Sequence, residues 1–355
     1  MTPHRWLAAL AFTFVFALAA MCWHEADGCA SAARRGVPVA IADESAIIIW
    51  HEASKTEHFI RRASFTTDAK DFGFLVPTPT QPELGESSDE AFSSLTQILS
   101  IPKPTDKKGK AKKGSAGGGK AAPHVEVLDQ KRVAGQDVVV LKATDADALG
   151  KWLTAHEYDF SASLKDWVKP YIDAKWIITA SKIAKDKDGA AIKNVASAAV
   201  RMSFKTEKPF FPYSEPADQR EGKTALPARL LRVFFISTDK VKGAIGEKGN
   251  HWPGKVVFAD KLAPPYSSKL LHLLKLPSGE TVPTTWYLTI FEDRETPRPG
   301  TADVYFGPDP DPNPKKQEPQ FQDGAARPSA GFAWCLVCAL ILLPGLAFMA
   351  RRQSR

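Results

Sequence analysis

The feature that most constrains this chain is an apolar segment near its C-terminus, residues 330–350, which contains no charged side chain. A helix rises about 1.5 Å per residue, so this segment is about 31 Å long as a helix, close to the hydrocarbon thickness of a bilayer. Arg351, Arg352 and Arg355 follow it, and basic flanks are retained on the cytoplasmic side of a membrane. The pattern predicts a single-pass membrane protein with a transmembrane helix at 330–350 and a basic cytoplasmic tail at 351–355.

Two other interpretations of this segment are a buried core helix and a removable sorting signal. A core helix normally carries a polar side chain at every third or fourth position, and none is present here. Pro344 interrupts the segment, which membrane helices tolerate better than soluble ones. An apolar helix followed by arginines is also typical of bacterial sorting signals, but no convincing recognition motif precedes it. We therefore expect the cell membrane to be the partner of this helix.

The N-terminal end has the plan of a signal peptide. Arg5 precedes 18 uncharged, mostly apolar residues, and the Ala-Leu-Ala sequence at 17–19 is the pattern that a signal peptidase reads. The sequence therefore predicts a signal peptide at 1–19. An uncleaved first membrane span and a lipid anchor at Cys22 are the alternatives. Together with the C-terminal helix, this end predicts that the domain between them lies outside the cytoplasm.

Three segments lie between the two ends. Residues 20–42 form a cysteine-containing N-terminal segment, and residues 43–300 are predicted to form one extracytoplasmic domain. A Lys- and Gly-rich insertion at 101–123 interrupts this domain, and its lack of apolar periodicity predicts disorder. Residues 301–329 are rich in proline, which favours extended polyproline geometry, so we predict a stalk that holds the domain away from the membrane.

The net charge of +7 is concentrated outside the predicted domain. Residues 103–124 carry a net charge of +6, the three arginines of the tail add three charges and Arg5 adds one. The remainder of the chain therefore carries −3, which argues against nucleic acid as a partner. The lysines of the insertion suit an anionic polymer, but a run this poor in aromatic residues is more typical of a solvated insertion.

Apolar periodicity predicts several strands. Alternating apolar residues at 200–204 and 286–290 predict half-buried strands. Apolar runs at 46–50, 138–141 and 230–236, the last of which includes Arg232, predict strands that are buried on both faces.

Helices are indicated by their capping pairs. These pairs predict helices that begin near Ser87, Thr144 and Ser163, and Pro170 is expected to end or kink the third helix. In chain order the pattern is strands, a helix, a strand, two helices and several strands. This order predicts an α+β fold with a largely antiparallel sheet and a few helices, plus one C-terminal transmembrane helix.

No motif in the predicted domain selects a chemistry, because nucleophile elbows, phosphate-binding loops, dinucleotide-binding motifs and zinc-protease motifs are all missing from the sequence. His51 and His58 flank a turn predicted at 53–56, so a hairpin would bring the two imidazoles together as metal ligands. Their spacing fits no established zinc pattern, and a packed or surface histidine is the better account of each. We therefore predict no catalytic residue, no cofactor-binding residue, no metal ligand and no cofactor.

Cysteines and aromatic residues leave further alternatives open. Cys22 and Cys29 follow the predicted cleavage site, where an oxidising compartment allows a disulfide and two free thiols are equally consistent. Cys335 and Cys338 lie inside the apolar span, where packing is expected. The aromatic stretch at 209–213 fits an exposed binding ridge or a packed loop, and its position beside a strand favours the packed loop.

The sequence Asp-Phe-Gly-Phe-Leu-Val-Pro-Thr-Pro at 71–79, preceded by a hairpin predicted at 47–65, resembles the signature of a bacterial family known as domain of unknown function 2330. The resemblance covers about residues 22–240. The chain departs from the family after Cys29, where an Ala-Ser-Ala sequence replaces paired glycines and aromatic residues. The resemblance implies an exported protein, and it implies no activity, cofactor or catalytic residue.

These features predict a class of function rather than a specific activity. Export signals, a stalk and the lack of a catalytic motif indicate a non-catalytic module that binds an envelope protein or an envelope polymer. The alternative is a hydrolase or another metal-dependent enzyme, with a site that forms only in three dimensions.

Overall fold

The computed structural model describes residues 29–37, 39–99, 125–184, 194–196, 199–220, 229–262, 264–278, 280 and 285–315. The predicted signal peptide, insertion, transmembrane helix and cytoplasmic tail lie outside these residues. Within them, every helix is too short or too polar to span a bilayer.

The described residues form sixteen strands and five helices. The strands, in chain order, are β1 (Ala30–Ala32), β2 (Val39–His51), β3 (Thr56–Thr67), β4 (Asp71–Thr78), β5 (Glu83–Glu86), β6 (Val125–Val133), β7 (Gln136–Ala143), β8 (Ile177–Ala184), β9 (Asn194–Ala196), β10 (Val200–Lys205), β11 (Phe210–Phe211), β12 (Leu231–Ser237), β13 (Val241–Ile245), β14 (Lys255–Lys261), β15 (Tyr287–Asp293) and β16 (Val304–Pro308). The helices are α1 (Glu90–Ile98), α2 (Ala146–Ala155), α3 (Ala162–Asp173), α4 (Ala217–Arg220) and α5 (Pro264–Leu274).

One sheet has five strands in the order β1-β4-β8-β7-β6 and is antiparallel throughout. Leu75, Leu141 and Ile178 point to one of its faces, where they form a buried cluster with Leu149 of α2 and Trp167 of α3. Successive side chains of β4 and β7 point to opposite faces of the sheet. One face therefore packs against α2 and α3, and the other face is also apolar and packs against the rest of the molecule.

A larger, eight-stranded sheet follows the order β14-β15-β12-β2-β3-β10-β5, with β9 paired to β3. It is mixed, because β2 and β12 run parallel with Ile47 opposite Phe234, whereas its other pairs are antiparallel. The parallel pair joins two of the predicted apolar runs, 46–50 and 230–236. Parallel strands are usually covered on both faces, which suits runs of this composition.

The two larger sheets pack face to face around a central core. The Phe65 ring on β3 lies 4.7 Å from the Phe72 ring and 5.5 Å from the Phe74 ring on β4, measured between centroids. The other face of the eight-stranded sheet packs against α1 and α5, through residues such as Ile49 and Phe92. The result is four layers of helices, sheet, sheet and helices, a sheet-dominated α+β fold of the predicted class.

The three predicted helices are present as α1, α2 and α3, whereas the short α4 and the longer α5 were not predicted. Asp145 and Ser161 cap α2 and α3, through side-chain oxygens that accept backbone N–H groups at 2.7 and 3.1 Å. Pro170 lies inside α3, which does not end there but continues to Asp173. Buried Tyr171 and Ile172 hold this last turn against the sheet.

A third sheet has three antiparallel strands in the order β11-β16-β13. Its central strand, β16, lies inside the segment predicted as a stalk. Val304 and Phe306 on β16 are buried in the central core. Lys240 then holds the following residues, because its Nζ lies 3.3 Å from Asp309 Oδ2 and donates to the Asp311 backbone oxygen at 2.9 Å. The folded region therefore extends to 315, beyond the predicted boundary at 300, because the apolar alternation of β16 supplies a strand despite the prolines around it.

β10 also differs from the prediction of a half-buried strand. Its apolar residues face the central core, as expected, but Arg201 and Ser203 on the opposite face are buried as well. β10 pairs on both sides, with β3 and with β5. The backbone that follows α5 covers the polar face of β10, where Arg201 donates to the Lys275 backbone oxygen. A buried polar face of this kind can hold the side chains of a binding or catalytic site.

Candidate metal centre

The β2–β3 hairpin brings two histidines together at its turn end. In its register His51 pairs with Thr56, and Ile49 pairs with His58. Residues two apart on a strand share a face, so both imidazoles lie on the same side of the sheet. Their ring centroids are 5.2 Å apart and their planes are at 88°. The predicted hairpin and the predicted approach of the two histidines are both observed.

Glu280 completes a cluster of three residues, which we call the His-His-Glu cluster. It lies after α5, and its Oε2 is 3.7 Å from His51 Nδ1 and 3.9 Å from His58 Nε2. One ligand atom from each residue lies within 4.8 Å of the others. Among the residues that the structure describes, this is the one group of three His, Cys, Asp or Glu side chains with such a spacing.

His58 is the most enclosed member of the cluster. Its side chain is fully buried, and Nδ1 lies 2.8 Å from Ser203 Oγ on β10. Nε2, which points toward Glu280, has no hydrogen-bond partner in the described part of the chain. Burial and, to a smaller extent, the nearby His51, Arg201 and Lys205 together lower the pKa of His58 to about 3. The imidazole is therefore neutral at physiological pH and offers a lone pair.

Arg201 links the strand that carries Ser203 to the segment that carries Glu280. Its guanidinium donates to the Lys275 backbone oxygen and lies 3.4 Å from Glu83 Oε1. Glycine at 85 makes this possible, because a Cβ there would lie 2.4 Å from an Arg201 nitrogen. Burial lowers the pKa of Arg201, and the carboxylates of Glu83 and Glu280 oppose that effect. Arg201 thus holds the cluster's polar surroundings together without occupying a ligand position.

Two imidazoles with one carboxylate are a donor set for a divalent metal ion of the zinc type. The sequence predicted the approach of His51 and His58 but contained no local signal for Glu280, which lies more than 200 residues further along the chain. For Ser203 there was one indication in the sequence, because the residue lies on the polar face of the strand predicted at 200–204. The prediction that the chain has no metal ligand stays a prediction.

The other sequence candidates do not join this cluster. The remaining histidines in the described residues are exposed and lie elsewhere: His156, His251 and His272. Phe210 and Phe211 are buried and form strand β11, so the stretch at 209–213 is packed, as expected, rather than an exposed ridge. Cys29 is a buried free thiol within the described residues, and burial raises its pKa well above the usual range, so it is a poor nucleophile. Cys22 lies outside these residues.

A second polar group, which we call the buried ion network, lies within the folded core. Arg61 donates to Glu44 at 2.5 Å, and Arg298 Nη1 lies 3.7 Å from both a Glu44 oxygen and a Glu215 oxygen. Arg229 pairs with Glu215 on the other side. All five side chains are buried. Each carboxylate faces two arginines, so its charge is already compensated and the network is a structural feature rather than a cation site.

Comparisons with known proteins give the family but no activity. No curated protein matches the chain. A solved structure of baculovirus P35 is similar at 8% sequence identity, covering 80% of this chain and 98% of that one, but its TM-score of 0.32 is too low to indicate a shared fold. The sequence pattern of a bacterial family described as "uncharacterized protein conserved in bacteria" matches residues 24–304, which include the His-His-Glu cluster. Because this match spans well over half of its length, the chain belongs to the DUF2330 family of bacterial proteins.

Proposed function

We propose that this protein is an extracytoplasmic module, held in the bacterial cell membrane by one C-terminal helix, which binds an envelope protein or polymer rather than catalysing a reaction. The observation that carries the proposal is the uncharged segment at 330–350 followed by Arg351, Arg352 and Arg355. The signal-peptide pattern at 1–19 supports export of everything between the two ends.

The distribution of charge supports an envelope partner over nucleic acid. Outside the insertion, the tail and Arg5, the chain carries a net charge of −3. This balance differs from the strongly basic balance that is typical of proteins that bind phosphate backbones. Membership of a bacterial family supports a bacterial origin for the chain, but it indicates no specific ligand.

Protease treatment of intact spheroplasts tests this topology, using full-length protein with an epitope tag after Arg355. We expect digestion of the domain, with survival of a small tagged fragment that contains 330–350. Lysed spheroplasts, in which the tag is also digested, are the control. A variant with glutamate in place of Arg351, Arg352 and Arg355 is expected to lose its uniform orientation. Full protection of the wild-type domain would overturn the proposal.

A metal-dependent hydrolase is the second candidate, and the His-His-Glu cluster is the observation that favours it. Three protein ligands leave a coordination position for water or substrate, as catalytic zinc sites require. Hydrolysis of ester or peptide substrates that stops on chelation and returns with Zn²⁺ would favour this candidate over the binding module. Protein that binds the metal but hydrolyses none of these substrates would count against it.

A further inference from the structure

We propose that His51, His58 and Glu280 bind one divalent transition-metal ion of the zinc class. The inference does not depend on membrane topology, so it stands or fails separately from the proposed function. Three observations carry it: the spacing of the donor atoms, the buried nitrogen of His58, and the bond that orients the His58 ring.

The spacing is close to that of a zinc site. Zinc bonds to nitrogen and oxygen are about 2.0–2.2 Å, so tetrahedral ligand atoms lie about 3.3–3.6 Å apart. Glu280 Oε2 lies 3.7 Å from a His51 nitrogen and 3.9 Å from a His58 nitrogen, and all three ligand atoms fall within 4.8 Å of one another. Small side-chain rotations are enough to close these distances around one ion.

The buried nitrogen of His58 requires a partner. Leaving a buried polar atom without a hydrogen bond costs about 1–3 kcal/mol. Nε2 of His58 is such an atom within the described residues, and it faces the Glu280 carboxylate at a distance too long for a hydrogen bond. A metal ion between them would satisfy both groups.

Ser203 prepares His58 for this role. Metal-binding histidines almost always use their second ring nitrogen in a hydrogen bond that sets the tautomer and the ring orientation. His58 Nδ1 lies 2.8 Å from Ser203 Oγ. In the tautomer that carries its hydrogen on Nδ1, Ser203 Oγ accepts this N–H, and the lone pair is on Nε2, the nitrogen that faces Glu280. Ser203 is therefore a positioning residue.

The donor types select the class of metal. Imidazole suits Zn²⁺, Cu²⁺, Fe²⁺ and Ni²⁺, whereas Mg²⁺ and Ca²⁺ require mostly oxygen ligands. The positive side chains nearby are engaged elsewhere, since Arg201 binds the Lys275 oxygen and Lys205 donates to the Ser54 oxygen at 2.8 Å. Glu280 is partly exposed, so an ion can reach the site from solvent.

Zinc titration of the purified full-length chain tests the proposal. The protein in detergent is stripped with a chelator, titrated with ZnCl₂ by calorimetry and analysed for bound metal. We expect one Zn²⁺ per chain. Glu280→Gln and His51→Gln should each bind at least about 100-fold more weakly, and Ser203→Ala about 10–100-fold more weakly. Co²⁺ loading should give a visible absorption band in the wild type that shifts in Ser203→Ala, which a merely structural role would not produce.

Two control variants separate this site from other metal-binding groups. His156→Gln removes an exposed histidine, and the double change Cys335→Ser/Cys338→Ser removes the C-x-x-C pair. Both should bind Zn²⁺ like the wild type. Far-ultraviolet circular dichroism and thermal unfolding of the metal-free proteins check that each variant is folded. A folded wild type without stoichiometric Zn²⁺, or folded Glu280→Gln and His51→Gln variants with wild-type affinity, would overturn the proposal.

Discussion

Glu44 is a charged residue at a position that water hardly reaches. Its side chain is 4% exposed, and Arg61 and Arg298 face its two oxygens. Burying a charge is costly unless it is paired, so the stability of this part of the core depends on the pairing rather than on the charge itself. The same reasoning separates the buried ion network from the exposed ion pairs of the surface.

Replacing Glu44 by alanine is expected to lower the free energy of unfolding by about 3–5 kcal/mol, because it leaves two buried arginines without their shared partner. Urea denaturation of the purified chain measures this loss. Lys169→Ala, which breaks an exposed ion pair with Asp173 on α3, is the matched control and should cost less than about 0.5 kcal/mol. Equal losses in the two variants would contradict the structural role of the network.

Asp71 begins the strand whose sequence resembles the family signature, and it accepts two bonds from Arg34, at 2.7 and 3.0 Å. Partial burial raises the pKa of Asp71, but the Arg34 bonds and the charge of Lys182 outweigh it, so the pKa is lowered overall. The folded state therefore binds the proton less tightly than the unfolded state does. Its contribution to stability is present above about pH 4 and is lost as the pH falls through the lowered pKa.

Asp71→Asn is expected to lower the free energy of unfolding by about 1–2 kcal/mol at pH 7, because a charge-assisted bond that is partly exposed to solvent is lost. The difference between the two proteins should shrink at pH 4 and again at pH 3, since only the wild type loses a charge. Urea denaturation at the three pH values measures it. A difference that stays constant or grows would show that the pKa of Asp71 is not lowered.

At the level of helices and strands, sequence periodicity predicted whether a segment forms a strand more reliably than it predicted how far that strand is exposed to solvent. The apolar runs at 46–50 and 230–236 are buried strands, as expected. β10 has the alternation of a half-buried strand, yet its polar face is covered because a later segment folds over it. β16 lies in a proline-rich stretch, where composition favoured a stalk. Composition describes the average of a stretch, whereas a strand needs only a few alternating residues and an available partner.

Truncation tests the role of β16. A chain that ends after Gly300 loses the buried Val304 and Phe306 and leaves β11 and β13 without the strand between them. Burial of each such side chain contributes about 1.5–3 kcal/mol, a large part of a typical domain stability of about 5–15 kcal/mol. We expect no cooperative thermal unfolding from this chain, and a normal transition from one that ends after Lys315. Cooperative unfolding of both chains would show that the domain folds without β16, as expected if this segment were part of a stalk.

At the scale of the whole molecule, the layers and the charge distribution are separate properties. The two large sheets and their helices enclose three buried clusters, and the excess positive charge lies in the insertion and at the ends of the chain. A layered core of this kind does not require the lysines of the insertion. Within the described residues, the three buried clusters therefore form without any contribution from these lysines.

Replacing the seven lysines between 103 and 120 by serine is expected to leave both the unfolding temperature and the binding of polyphosphate at physiological salt unchanged. The physical reason is that a lysine-rich segment without aromatic residues is expected to be solvated and to contribute neither core contacts nor stacking. Thermal unfolding and filter binding measure the two quantities. Polyphosphate binding by the wild type that disappears in the variant would identify the insertion as a polyanion site.

Four properties follow from the amino-acid sequence alone: the α+β class, the family, the approach of His51 and His58, and the location of the excess charge. These properties are local or additive, because they depend on periodicity, a short turn or a sum of charges. Three others come from the folded chain: Glu280 joins the two histidines, Ser203 contacts one of them, and β2 and β12 lie side by side in parallel. Each of these depends on segments far apart in the chain, and their pairing is set by the packing of the whole core rather than by any pattern within one segment.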